Sequence, residues 1–220
     1  MTDDIAFPRF AKRYSAGFFL AGQMRGRETA ISGAESIIPS FAGHWRVTMT
    51  FFLKNEDARL EWEGFLAQME GGIGTTLVPV RLPYRPKGSG GGNAPVSTQP
   101  AFATFEHWSF VNETRAAITL REAAPLRSTD LDLTLSDSLG LRPGHGLTVG
   151  DRFYRVQRSW DDGAKVRIQP PLREAAAAGA IIETDNPVCR MRFASEGEGE
   201  TEYGLFAKFS RATVTFREAF

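Results

Sequence analysis

The chain has one cysteine, three histidines and no net charge, and each scarcity closes off a class of protein. With Cys189 alone, no intramolecular disulfide can form, which excludes a secreted scaffold stapled by cystines. Lys plus Arg (26) cancels Asp plus Glu (26), so the basic excess with which a nucleic-acid binder neutralises phosphate is missing. No apolar run reaches the length of about 18 residues that reads as a membrane-spanning helix. The opening "MTDDIAFPRFAKRYSAGFFLAG" puts two aspartates where a secretory signal carries positive charge, and its apolar patch at Gly17–Gly22 is too short for a signal core. The expectation is a protein made and used in the cytoplasm, or released from the cell only by lysis.

Catalytic signatures are equally sparse. There is no G-x-S-x-G elbow and no H-E-x-x-H pair. His44, His107 and His145 stand apart, none with a Cys or His at ligand spacing. Cys189 shares one strand face with Met191 and Phe193, which predicts a buried small hydrophobe rather than a nucleophile. "SEGEGETEYG" sets Glu196, Glu198, Glu200 and Glu202 at alternate positions. A solvated, mobile hairpin tip is preferred there over a calcium loop, which mixes Asp, Asn and carbonyl ligands, or an acidic patch for a basic partner. Acidic residues are plentiful, yet no two are marked out as a glycosidase pair. The sequence therefore predicts no enzyme, no cofactor, no metal and no catalytic residue.

What the chain does have is apolar bulk. Its 220 residues are 42% hydrophobic, with 17 phenylalanines, and a chain of this length buries roughly 70% of its unfolded surface without a staple. "WRVTMTFFL" alternates Trp45, Val47, Met49, Phe51 and Leu53 against Arg46, Thr48 and Thr50, the period of a half-buried strand. In "KNEDARLEWEGFLAQMEGG", Asn55 can cap a helix over 56–70 whose first turn is acidic, and Gly71 can take the left-handed position after it. Ala58, Trp62, Phe65, Leu66 and Met69 fall on one face. "TTLVPV" (75–80) follows as a strand, and Pro79 argues for an edge.

The stretch "RPKGSGGGNAPVSTQPA" (85–101) has the composition of a flexible linker or long loop. It lacks the strand-to-helix context and the Lys-Ser/Thr pair of a phosphate-binding loop. Beyond it, short runs at 116–120, 131–135, 147–159, 164–169, 180–184 and 189–193 read as strands of a small sandwich or barrel. "REAAAAG" (173–179) predicts at most one or two helical turns. Between the third and fourth runs "DDG" (161–163) marks a tight turn, Pro170 and Pro171 end the second strand, and Leu172 is expected to plug the end of the domain. "RATVTFREAF" (211–220) alternates again and is expected to return to the N-terminal part.

The predicted fold is thus mainly β with one amphipathic helix. An N-terminal β-sandwich (1–86) is completed by the C-terminal strand (195–220, with the acidic loop). A linker (87–101) leads to an inserted small β-barrel or sandwich (102–194).

The block "GDRFYRV…DDGAKVRIQPPLREAAAAGAIIETDNPVCRMRFA" (150–194) resembles a recurring C-terminal block of siphophage and prophage tail proteins. Its marks are Gly-Asp with an aromatic, Tyr-Arg-Val, an Asp-Gly turn, Pro-Pro-Leu-Arg, an alanine-rich piece and Asn-Pro before a final strand. "HWRVTMTFFLKNEDARLEWEGFLAQMEGGIGTTLVPV" resembles the strand, helix and glycine-introduced strand of the same family, and the two parts cover about half the chain. The resemblance implies a distal or minor tail protein: a structural virion component at the tail tip, assembled in the host cytoplasm. It implies a ring, commonly of six copies, that joins the tail tube to the hub and supports receptor-binding proteins. The partners it implies are other copies of the chain, the tube protein and hub proteins, with no sequence-specific nucleic acid and no membrane insertion.

Candidate ring contacts are Phe7, Phe10, Phe18 and Phe19 near one end of the chain, and Val214, Phe216 and Phe220 near the other. The alternative is a carbohydrate-binding module, for which Trp108, Phe110, Tyr154 and Trp160 are the candidate platform.

Overall fold

The computed structural model describes residues 4–9, 12–29, 31–33, 35–40, 42–82, 86, 118–136, 140–200 and 210–220. The linker and the stretch holding His107, Trp108 and Phe110 lie outside the described residues, as does Phe10. The chain is mainly β with one amphipathic helix, and it divides into two compact units. The first comprises Met1–Arg81, Asp151–Phe153 and Asn186–Phe220; the second comprises Leu82–Gly150 and Tyr154–Asp185.

The first unit is built on a five-stranded antiparallel sheet. Its strands are β1 (Lys12–Ala21), β4 (His44–Leu53), β13 (Ser210–Glu218), β12 (Val188–Phe193) and β5 (Thr76–Pro79), in that spatial order. The C-terminal strand β13 lies at the centre, pairing with β4 from Ser210↔Leu53 to Arg217↔Arg46. β5 is at the edge, where Pro79 costs the ladder least. A separate two-stranded ribbon joins β2 (Met24–Thr29) to β3 (Glu35–Pro39).

Helix α1 (Glu56–Met69) covers one face of the sheet. The Asn55 side chain accepts from the Ala58 amide at 3.2 Å and caps its start. Ala58, Trp62, Phe65 and Met69 are buried. Trp62 meets Phe51 with ring centroids 4.7 Å apart, and Phe65 meets Phe193 edge-on at 5.9 Å. The left-handed exit begins one residue earlier than expected: Glu70 already has φ +45°, followed by Gly71 at +66° and Gly72 at +110°. The last suits glycine because φ +110° is a conformation that L side chains rarely adopt.

The second unit is a closed six-stranded barrel. Around it run β10 (Lys165–Gln169), β7 (Asp130–Leu135), β6 (Ile118–Leu120), β11 (Ile181–Glu183), β8 (Gly146–Val149) and β9 (Arg152–Trp160). Closure removes every sheet edge. Leu133, Leu147, Val156, Val166 and Ile168 fill the interior, and Leu172 is buried in the same cluster. The turn from β9 to β10 holds three successive positive-φ residues, Asp161 (+48°), Asp162 (+54°) and Gly163 (+86°).

Two expectations are corrected. The run 147–159 is two strands, broken where Gly150 turns at φ +60°. The alternation of a half-buried strand is also broken there, because the consecutive Phe153 and Tyr154 are both buried. Phe153 packs on Trp45 at 4.9 Å in the first unit, whereas Tyr154 belongs to the barrel core. The run 189–193 is not a barrel strand: β12 pairs with β13 and β5, so the inserted unit ends at Asp185 instead of 194. The alanine-rich piece, expected to hold at most one or two helical turns, holds none. Ala176 instead makes an isolated antiparallel bridge to Ala124, with N–H···O distances of 2.8 and 2.9 Å, and its small side chain permits the approach.

Candidate interaction surfaces

Among the described residues no group of three or more His, Cys, Asp or Glu side chains is arranged to hold a metal ion. Cys189 is fully buried. His145 lies in the turn before β8, its Nδ1 accepting from the Arg142 amide at 3.1 Å. Burial, and then the Arg142 charge, lower its pKa below the ordinary 6.5. His44 opens β4, its Nδ1 within 3.3 Å of the Ala42 carbonyl.

The acidic loop departs from the expected solvated tip at Glu198 and Gly199, while Glu196 and Glu200 are exposed and Glu202 lies outside the described residues. The Glu198 carboxylate accepts from the Thr215 amide (2.7 Å) and from Ser195 Oγ (2.9 Å). Trp62 Nε1 donates to the Gly199 carbonyl at 3.0 Å. A Cβ at Gly199 would collide with Val214 and Trp62, which is why a glycine stands there. The loop is a lid on the aromatic core, and its spacing of glutamates concealed that one of them serves the backbone.

The predicted contact residues separate into interior and surface. Val214 and Phe216 are fully buried in β13, because strand pairing on both sides and the helix above enclose them. They cannot form a contact face. Phe7 is half-buried, its ring 5.9 Å from Phe51 and 6.3 Å from Phe216. Phe18 is half-buried against Phe153 at 6.3 Å. Phe19 and Phe220 are exposed.

The exposed apolar side chains of the β2–β3 ribbon were not predicted. The β2–β3 ribbon leaves Met24 53% exposed, Ile37 57% and Ile38 48%. Ile37 and Ile38 are adjacent, so they point to opposite faces of the ribbon. Neither face is covered by another described element, and a lone two-stranded ribbon is marginal in water. Across it Arg27 grips the Glu35 carboxylate at 2.5 and 2.6 Å, with both groups exposed. The signal available in the sequence was the unmatched pair Ile37-Ile38 beyond the turn "ISG", where alternation would have put only one of them on an apolar face.

On the barrel, Tyr154 is removed from the predicted platform: it is buried, its hydroxyl accepting from the Arg173 amide at 3.0 Å. Trp160 is 42% exposed. The Arg167 guanidinium lies over its ring, 5.6 Å from the centroid. Asp130 fixes that guanidinium through two bonds of 2.7 and 2.8 Å. This hydrogen bonding, and the Arg167 charge, hold the Asp130 carboxyl below the usual range despite a counteracting burial effect. Strand register sets Asp132, Lys165 and Trp160 in one row and Asp130, Arg167 and Arg158 in the next. The result is a polar face with one aromatic ring.

Compared with protein-family models and with curated proteins, the chain matches none.

Proposed function

We propose that the chain is a structural subunit of the tail tip of a long-tailed phage, assembling with copies of itself into a ring between tube and hub. The observation that carries the assembly half of this reading is the ribbon Met24–Pro39, which leaves Met24, Ile37 and Ile38 exposed, with one isoleucine on each face. A surface of this kind is stabilised by association. The phage half rests on the resemblance of the 44–80 and 150–194 segments to tail proteins. The absence of a charge excess suits a subunit beside a DNA conduit, which gains nothing by gripping phosphates. Purified protein examined by light scattering, with negative-stain imaging of the same sample, tests it. Closed rings of several copies are expected, and a monomer at every concentration contradicts the reading.

A second reading, a carbohydrate-binding module, is favoured by one observation: the exposed Trp160 ring flanked by the fixed Arg167–Asp130 pair. Aromatic stacking beside oriented polar groups is what sugar rings require. A glycan array probed with wild type and Trp160→Ala decides it, and binding that survives the substitution removes Trp160 from any such site.

A further inference from the structure

The two ends of the five-stranded sheet are treated differently. At one end β1, ten residues long, forms a ladder with β4 alone among the described strands. At the other end the first residue of β5 is bridged by Ile5, within residues 4–9. Ile5 makes a parallel bridge to Thr76, its amide donating to the Thr75 carbonyl at 2.8 Å while Thr76 Oγ1 donates to its carbonyl at 2.7 Å. The absence of a side chain at Gly74 leaves room for Ile5, whose Cδ1 a Cβ there would displace. Asp4 accepts from Thr75 Oγ1 (2.8 Å) and from Arg190 Nη2 (2.8 Å), and the same guanidinium reaches Asp151 at 2.6 Å. Phe7 enters the aromatic cluster, and the Arg9 amide donates to Glu61 on the helix at 2.7 Å.

Polarity identifies what this strap stands in for. All four strand pairs of the sheet are antiparallel, so the two outer strands, β1 and β5, run in the same direction. In a head-to-tail ring, a second copy turned about an axis along the strands would present its β1 to β5 in parallel. The strap already pairs with β5 in parallel. We propose that residues 4–9 are a latch whose Ile5 occupies the start of the β5 edge in the polarity of a neighbouring copy's β1, and that releasing it lets the sheet continue from one copy into the next. Heterologous edge pairing of this kind closes rings or extends filaments, so an edge guard keeps the free chain from associating prematurely.

The inference deepens the assembly reading above and rests on it. Its test compares the full chain with a variant lacking residues 1–9, by sedimentation velocity over a wide concentration range. The variant is expected to associate at a concentration at least about tenfold lower, and a synthetic peptide of residues 1–9 added in excess is expected to reverse this. Association that the peptide does not reverse is nonspecific aggregation and overturns the latch. A folded variant that associates like the full chain also overturns it: if both form rings, the assembly reading survives alone, and if both stay monomeric, both fall. Should the deletion prevent folding, Asp4→Ala decides. It removes the Thr75 and Arg190 contacts while keeping Ile5 and Phe7, and unchanged association in that folded variant overturns the latch equally.

Discussion

Phe216→Ala separates an interior role for β13 from a surface one. The ring is fully buried, with centroids 5.5 Å from Phe193, 6.3 Å from Phe7 and 6.5 Å from Phe65. Truncating a buried phenylalanine costs about 3–5 kcal/mol, and the site cannot collapse easily because β13 is held by β4 and β12 on either side. Against a typical domain stability of about 5–15 kcal/mol, that is a large fraction. With a urea m-value of about 2 kcal/mol per molar, the midpoint of the first unit's transition falls by about 2 M. Urea unfolding followed by far-ultraviolet circular dichroism and tryptophan fluorescence measures it. The two units can unfold separately, so the transitions are fitted independently. A midpoint shift below about 0.5 M, with self-association lost, would refute the interior assignment and return Phe216 to the surface.

Further outcomes follow from the same geometry. Ile37→Lys with Ile38→Lys is expected to abolish association seen by light scattering while leaving stability within about 0.5 kcal/mol, as for surface changes generally; a large fall in the unfolding midpoint would show that the ribbon is packed. Gly163→Ala forces a side chain into φ +86° and sets its Cβ 2.5 Å from the Leu141 nitrogen, so the barrel should lose about 1–3 kcal/mol from the backbone conformation alone, read as a lower melting temperature. Between pH 6.5 and the lowered pKa of His145, the unfolded chain binds more protons than the folded one, so barrel stability should fall as pH falls. The Asp130 contribution, complete above 3.8, should disappear as pH drops through its lowered value, though solvent screening keeps it small. A barrel transition that rises on acidification contradicts both. Glu218→Ala removes the carboxylate that accepts from the Trp45 amide at 3.0 Å in a buried setting, and calorimetry should show a loss of about 1–3 kcal/mol.

Much of the architecture was legible in the sequence because the strongest signals were local. The alternation of Trp45 to Leu53, the Asn55 cap and the helical face of Trp62 and Phe65 all reflect one element meeting one core. The signals failed where a residue answers to two neighbourhoods. Phe153 and Tyr154 are consecutive apolar residues because β9 carries the chain from one unit into the other, which a period-two pattern cannot express. Val188–Phe193 followed the barrel strands in sequence and looked like one more of them, but long-range pairing with β5 and β13 decides its place. The contact residues were chosen by hydrophobicity and nearness to the ends of the chain, which favours core phenylalanines. The exposed ribbon was overlooked because its strands read as weakly patterned, mostly polar sequence. Glu198 was hidden among its alternating neighbours, since a carboxylate that caps a strand amide differs from a solvated one only in three dimensions.

The measurement that bears most directly on the central claim is amide hydrogen exchange of the ribbon, residues 24–39, in dilute and in concentrated protein. If the ribbon is the contact through which copies assemble, its amides exchange markedly more slowly in the concentrated sample, while peptides from the closed barrel are unchanged. Equal exchange at both concentrations, in a sample that light scattering shows to be assembled, would place the contact elsewhere and contradict the account.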